Sequence, residues 1–177
     1  SYDQPLAARA LRVPQLTMVD YEHHPATHLL FRAARRLLLP ESFSRDLVNA
    51  HGGRGKTWRY RGLKEEVYLA GLAPVGSPLA ELGIAGFDGK IVTLRPPAVG
   101  AMYHRDENPL FPQVVAHLAA QPDTMTLILP RHPAQSPALT AEFAGPTVRV
   151  VEQPIDGPAL IWHSDAVISA GGTMNRE

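Results

Sequence analysis

The chain has 177 residues, 17 basic and 17 acidic, a formal net charge of zero and a hydrophobic fraction of 45%. This composition suits a globular chain and excludes attraction to nucleic acid through a global basic field. There is no cysteine, so disulfides, thiolate zinc sites and a cysteine nucleophile are excluded, and no apolar run approaches the roughly 18 residues of a transmembrane helix.

Ser1 to Arg12 reads as a helix, with Leu6 and Ala10 on its apolar face and Val13-Pro14 ending it. Gln15 to Val19 reads as a strand, followed by the polar cluster Asp20-Tyr21-Glu22-His23-His24. Ligands of open α/β sheets gather beyond the carboxyl ends of strands, so this cluster is placed for chemistry. Pro25 to Leu38 has helical spacing, with Leu30, Ala33, Ala34, Leu37 and Leu38 on one face and Arg32, Arg35 and Arg36 as solvated charges on the other. Leu37 to Pro40 also reads as a short strand. Asn49 to Arg61, with Gly52, Gly53 and Gly55, reads as a mobile loop, solvated rather than phosphate-binding. Proline and glycine then place an interdomain linker near residues 62–78.

Leu79 to Leu82 fits one helical turn. Lys90 to Arg95 is a strand that ends on an arginine, stopped by Pro96-Pro97, and a loop runs through Tyr103 to Asn108. Pro109 to Ala120 is a helix with a stripe of Leu110, Phe111, Val114, Val115 and Leu118. A strand over Thr124 to Pro130, a helix over Ala134 to Phe143, a strand over Thr147 to Val151 and a helix over Gly157 to Trp162 follow. Strands alternating with helices predict an α/β fold with parallel sheets covered on both faces. The closing segment, Asp165 to Glu177, reads as a buried strand, a Gly171-Gly172 turn and the first turn of a helix. Glycines let backbone approach a ligand, and a helix start aims free N–H groups at a phosphate. The other reading is an ordinary strand-to-helix turn, since neither GxGxxG nor GK[ST] is present. The chain starts at Ser1, shows no signal peptide and stops inside this turn, so it is expected to be part of a longer protein.

Three stretches, Asp20-Tyr21-Glu22-His23, Tyr60 to Leu69 (YRGLKEEVYL) and Gly171 to Glu177 (GGTMNRE), resemble the DUF354 family over nearly the whole chain. Those proteins look like GT-B glycosyltransferases and non-hydrolysing UDP-N-acetylglucosamine 2-epimerases. The resemblance implies a GT-B type two-domain architecture of Rossmann-like parallel sheets facing across a cleft, both domains incomplete here. Residues 1–70 would be the C-terminal part of the N-terminal domain. Residues 71–177 would be the first part of the C-terminal, nucleotide-sugar-binding domain.

By that resemblance Gly171, Gly172 and Thr173 hold phosphates, the Glu177 carboxylate accepts ribose hydroxyls, and Arg95 pairs with a diphosphate. As a residue type, a guanidinium suits that forked pairing; an exposed strand-end arginine is the other reading of Arg95. An acidic catalytic residue is implied after the first strand, with Asp20 and Glu22 as candidates. Asp20 has an alternative as a helix cap, whereas Glu22 is less easily explained as one. His23 could act as base or proton shuttle. The His104-Arg105-Asp106-Glu107-Asn108 stretch resembles an epimerase motif, though it lies well beyond its strand. His24 and His28 have zinc-compatible spacing, but there is no HExxH and Pro25 disfavours helix at His24, so no metal is expected. Nor is a cofactor: a nucleotide sugar would be the substrate and a hydroxyl compound the acceptor. The expected protein is a cytoplasmic, metal-independent glycosyltransferase, with a sugar epimerase or a non-catalytic sugar-nucleotide binder as alternatives, and a homodimer is allowed.

Overall fold

The computed structural model describes residues 3–97 and 109–177. The chain divides into two compact units, residues 1–67 and 68–177. Each is an α/β unit built on an all-parallel sheet. Among the described residues no helix is long and apolar enough to cross a membrane.

Unit 1 runs α1 (Asp3–Ala10), β1 (Leu16–Met18), α2 (Thr27–Ala33), β2 (Arg36–Pro40), α3 (Arg45–Ala50) and β3 (Thr57–Tyr60), and α4 (Glu66–Leu69) lies at the unit boundary. Its strands lie in the order β1-β2-β3. The helix expected to continue to Leu38 stops at Ala33, and Ala34 turns extended with ψ 137°. Leucines are good helix formers, but here Leu37 and Leu39 are fully buried by the period-2 alternation of β2, packed with Phe31 and Phe43. Pairing on both sides overrides propensity. The loop expected over Asn49 to Arg61 likewise contains β3. Thr57, Trp58 and Tyr60 are strand formers, and the glycines serve the turn before them. On α1 the buried residue is Pro5, whereas Leu6 is exposed.

Unit 2 contains α5 (Pro78–Glu81), β4 (Lys90–Arg95), α6 (Leu110–Ala119), β5 (Thr124–Ile128), α7 (Ser136–Phe143), β6 (Val148–Val150), α8 (Gly157–Trp162) and β7 (Ala166–Ser169). The order is β6-β5-β4-β7. The central strand β5 is buried at every residue, as a parallel strand covered on both faces must be. Met125 and Leu127 pack with Ile84 and Leu160 on one side. Ile128 and Leu94 pack with Val115, Phe111 and Phe143 on the other. Helices therefore cover both faces, giving a Rossmann-like layer arrangement. The helix start expected after Gly172 is one 3-10 turn, Thr173–Asn175.

Asp165 pins β4 and β7 at their entry. Its carboxylate accepts from the Ile91 N–H at 2.9 Å and from Lys90 Nζ at 3.0 Å. These bonds, the Ile91 N–H foremost, hold the carboxyl below its ordinary value of 3.8. Protonation is thus easier in the unfolded chain. The stabilisation is complete above that ordinary value and is lost as pH falls through the lower folded one. Asp165→Asn is expected to lower stability at neutral pH, with the wild-type advantage fading below about pH 4. Denaturant midpoints measured across pH test this; a pH-independent difference would contradict it.

Candidate functional site

The strand order of unit 2 creates the site. Its first strand, β4, has the second strand on one side and the fourth, β7, on the other. That order puts the switch point of the sheet between β4 and β7, and ligands of open α/β sheets bind beyond the carboxyl ends of such a pair. Register pairs Arg95 with Ser169, two residues before Gly171. Arg95 is half-buried, and its side chain makes no hydrogen bond or ion pair among the described residues.

Gly171 and Gly172 have φ of 80° and 96°, a backbone path that side chains resist. Among the described residues the N–H groups of Gly171, Gly172 and Thr173 donate to no acceptor. Successive free amides on a left-handed turn form an anion-binding concavity. Thr173 opens the 3-10 turn and is exposed, and its carbonyl accepts from the Arg176 N–H at 2.7 Å. Glu177 accepts a hydrogen bond from the Tyr68 hydroxyl at 2.6 Å, which fixes one carboxylate oxygen.

Arg131, which sequence reasoning missed, ties these strand ends together. It follows β5, and the Gln135 carboxamide accepts from its backbone N–H at 2.8 Å. Its Nε donates to the Pro96 carbonyl at 2.7 Å, and Nη2 donates to Ala170 and Gly171 at 2.9 and 2.7 Å. The guanidinium thus clamps the ends of β4 and β7 and adds a positive charge beside the free amides. A Cβ at Gly172 would lie 3.1 Å from Arg131 Nη1, so only glycine fits there without displacing the clamp. The available signal was a basic residue just past a parallel strand, the same cue that marked Arg95.

Unit 1 carries a second polar constellation, past the end of β1. Asp20 pairs with Lys64 at 3.1 Å, and Lys64 also bonds the fully buried Glu65. The expected cap role of Asp20 is not seen: α2 has Ala26 at its cap and no side-chain cap bond. Ser44 caps α3 with its own hydroxyl, and Glu22 accepts the Ser44 N–H at 3.1 Å. That bond is tertiary, since Ser44 lies 22 residues downstream. His23 Nε2 lies 3.6 Å from Glu22 Oε1, and the imidazole is largely exposed. Asp20 lines a cavity of about 360 Å³ together with Gln4, Gln15, Thr17, Tyr21 and His24.

His24 and His28 engage local backbone through Nδ1, with the Ala26 N–H at 3.1 Å and the Pro25 carbonyl at 3.0 Å. No group of three or more His, Asp or Glu is placed to hold a metal among the described residues. The His104 to Asn108 stretch lies outside those residues.

The family model described as "Protein of unknown function (DUF354)" matches residues 1–177. An uncharacterized protein of Methanocaldococcus jannaschii is 27% identical over 183 residues, covering 100% of this chain and 52% of its own length. The chain thus spans about half the length of the curated relative it matches. No solved structure matches.

Proposed function

The chain belongs to the DUF354 family, proteins of unknown function, and from that premise we propose that it is the nucleotide-sugar-binding portion of a metal-independent glycosyltransferase of GT-B type. The observation that carries this reading is the set of donors gathered at the carboxyl ends of β4 and β7. Three free amides, at Gly171, Gly172 and Thr173, lie beside the guanidinium of Arg131, and Arg95 ends β4, the strand that pairs with β7. A diphosphate leaving group gains negative charge as the sugar–oxygen bond breaks. Fixed donors aimed at that charge stabilise the transition state without a metal. Glu177 would take a ribose hydroxyl through its second oxygen.

The bond from the anomeric carbon to the diphosphate oxygen breaks, and the nucleoside diphosphate keeps the electron pair. The acceptor oxygen bonds that carbon and loses its proton to a base. The candidate bases are those named from the sequence, of which His23 has Glu22 3.6 Å from its Nε2 and Asp20 is paired with Lys64.

One observation favours a second reading, a non-catalytic sugar-nucleotide binder: Asp20 and Glu22 both have structural partners. The complete protein incubated with UDP-N-acetylglucosamine and candidate hydroxyl acceptors separates the outcomes. Free UDP with a new glycoside is expected, with turnover falling roughly a hundredfold or more in His23→Ala and UDP affinity retained. An epimerised sugar would replace transfer by epimerisation. Binding without turnover, unaffected by alanine at Asp20, Glu22 and His23, would establish the binder. No affinity for any nucleotide sugar would overturn all three.

A further inference from the structure

We propose that unit 1 carries, at the amino-terminal edge of its sheet, a binding site for a soluble oligophosphate, formed by Arg9, Arg12, Arg32, Arg35 and Lys56 around one cavity of about 330 Å³. These residues come from three places in the sequence. Arg9 and Arg12 close α1, Arg32 and Arg35 bracket the turn from α2 into β2, and Lys56 precedes β3. Each strand begins here, whereas Asp20 and its neighbours follow the end of β1, so the two sites lie at opposite edges of one sheet.

The cavity lining contains five cations and no carboxylate. Among the described residues the side chains of the four arginines make no hydrogen bond or ion pair. Lys56 is fixed at the cavity, with Nζ donating to the Ala34 carbonyl at 2.9 Å and the Arg32 carbonyl at 3.3 Å. Its ammonium is pushed below the ordinary lysine value by burial first and then by the neighbouring Arg9 cation. Crowded like charges oppose folding unless a counter-charge joins them. In a chain of zero net charge this local excess is a property of the site.

Arg12 strengthens the case. The Val13 N–H donates to the Ala8 carbonyl at 2.8 Å and the Arg12 N–H to the Arg9 carbonyl at 3.2 Å. This is the Schellman closure of a helix, whose turning residue is usually glycine. Arg12 has φ 56°, the sole non-glycine in that region among the described residues. The backbone gains nothing from arginine there, and the cavity gains a guanidinium. Guanidiniums grip phosphate oxygens in pairs, and five cations match several phosphates better than one.

The test titrates inorganic triphosphate into the full chain, with amide shifts at Val13 and Lys56 marking the site apart from the Gly171 to Thr173 amides. Saturable binding is expected, tighter than for inorganic phosphate. It should weaken by roughly tenfold in Arg35→Glu and by several-fold in Arg12→Gly. Arg12→Gly should also melt higher than wild type without ligand, since its turn is relieved, so weaker binding cannot be ascribed to misfolding. Vesicles of phosphatidylcholine with phosphatidic acid form the second arm, and a site for a soluble oligophosphate predicts no preference for them. Absent saturation, equal affinity in wild type and both variants, or binding to vesicles alone would overturn the proposal. Any of these leaves the β4–β7 reading untouched.

Discussion

Replacing Arg131 by alanine is expected to have the largest effect in unit 2, costing about 3 kcal/mol of stability and most of the affinity for a nucleoside diphosphate. Three carbonyls, of Pro96, Ala170 and Gly171, lose a charged donor at once. Hydrogen bonds to charged groups are worth about 1.5–3 kcal/mol each, and partial rehydration of the carbonyls brings the sum down. With the clamp gone, the Gly171-Gly172 turn is no longer tied to the end of β4, so the free amides lose their fixed direction. Arg131→Lys keeps the charge but not the fork. It should recover part of the affinity and little of the stability. Urea unfolding and UDP titration of the two variants provide the comparison. Full stability in Arg131→Ala would mean that the clamp holds nothing.

Lys64→Met is expected to be the most damaging single change in unit 1, at about 3–5 kcal/mol. The methionine keeps most of the side-chain volume, so the loss is electrostatic. Lys64 is paired with both Asp20 and Glu65, and Glu65 is fully buried. Removing the cation leaves two carboxylates close together, one of them out of water, without that partner. The double variant Lys64→Met with Glu65→Leu should regain much of the loss, because an apolar pair carries no desolvation penalty. Equal stability of Lys64→Met and wild type in denaturant unfolding would show that these charges are balanced some other way.

Unit 2 was largely legible in the sequence because its strands are runs of β-branched and apolar residues closed by proline or charge. The strand expected over Lys90 to Arg95 and the helix expected over Gly157 to Trp162 coincide with β4 and α8. Unit 1 was harder to read. Leu37-Leu38-Leu39 satisfies helical and strand spacing equally, and only its burial between β1 and β3 decides. Thr57 to Tyr60 sits among glycines and cations, whose loop signal hid a strand of four residues.

The candidate site divides the same way. Gly171, Gly172 and Arg95 stood out because strand ends and glycine pairs are local features. Arg131 reaches carbonyls 35 to 40 residues away, and no spacing rule encodes such bonds. Lys64-Glu65-Glu66 looks like a charged run, yet Glu65 is as buried as Leu37. Glu22, a candidate for chemistry by its place after β1, accepts the N–H of Ser44, the cap residue of a helix without a sequence mark. Arg12 ends the expected first helix, and its left-handed backbone has no sequence mark because glycine, the usual sign, is absent.

The most direct measurement is the map of backbone amide shifts on titrating UDP into the chain. The largest changes should fall on Gly171, Gly172 and Thr173, whose N–H groups are free to bind the diphosphate. If UDP binds while those amides stay unmoved, the carboxyl end of β4 and β7 is not the seat of the diphosphate.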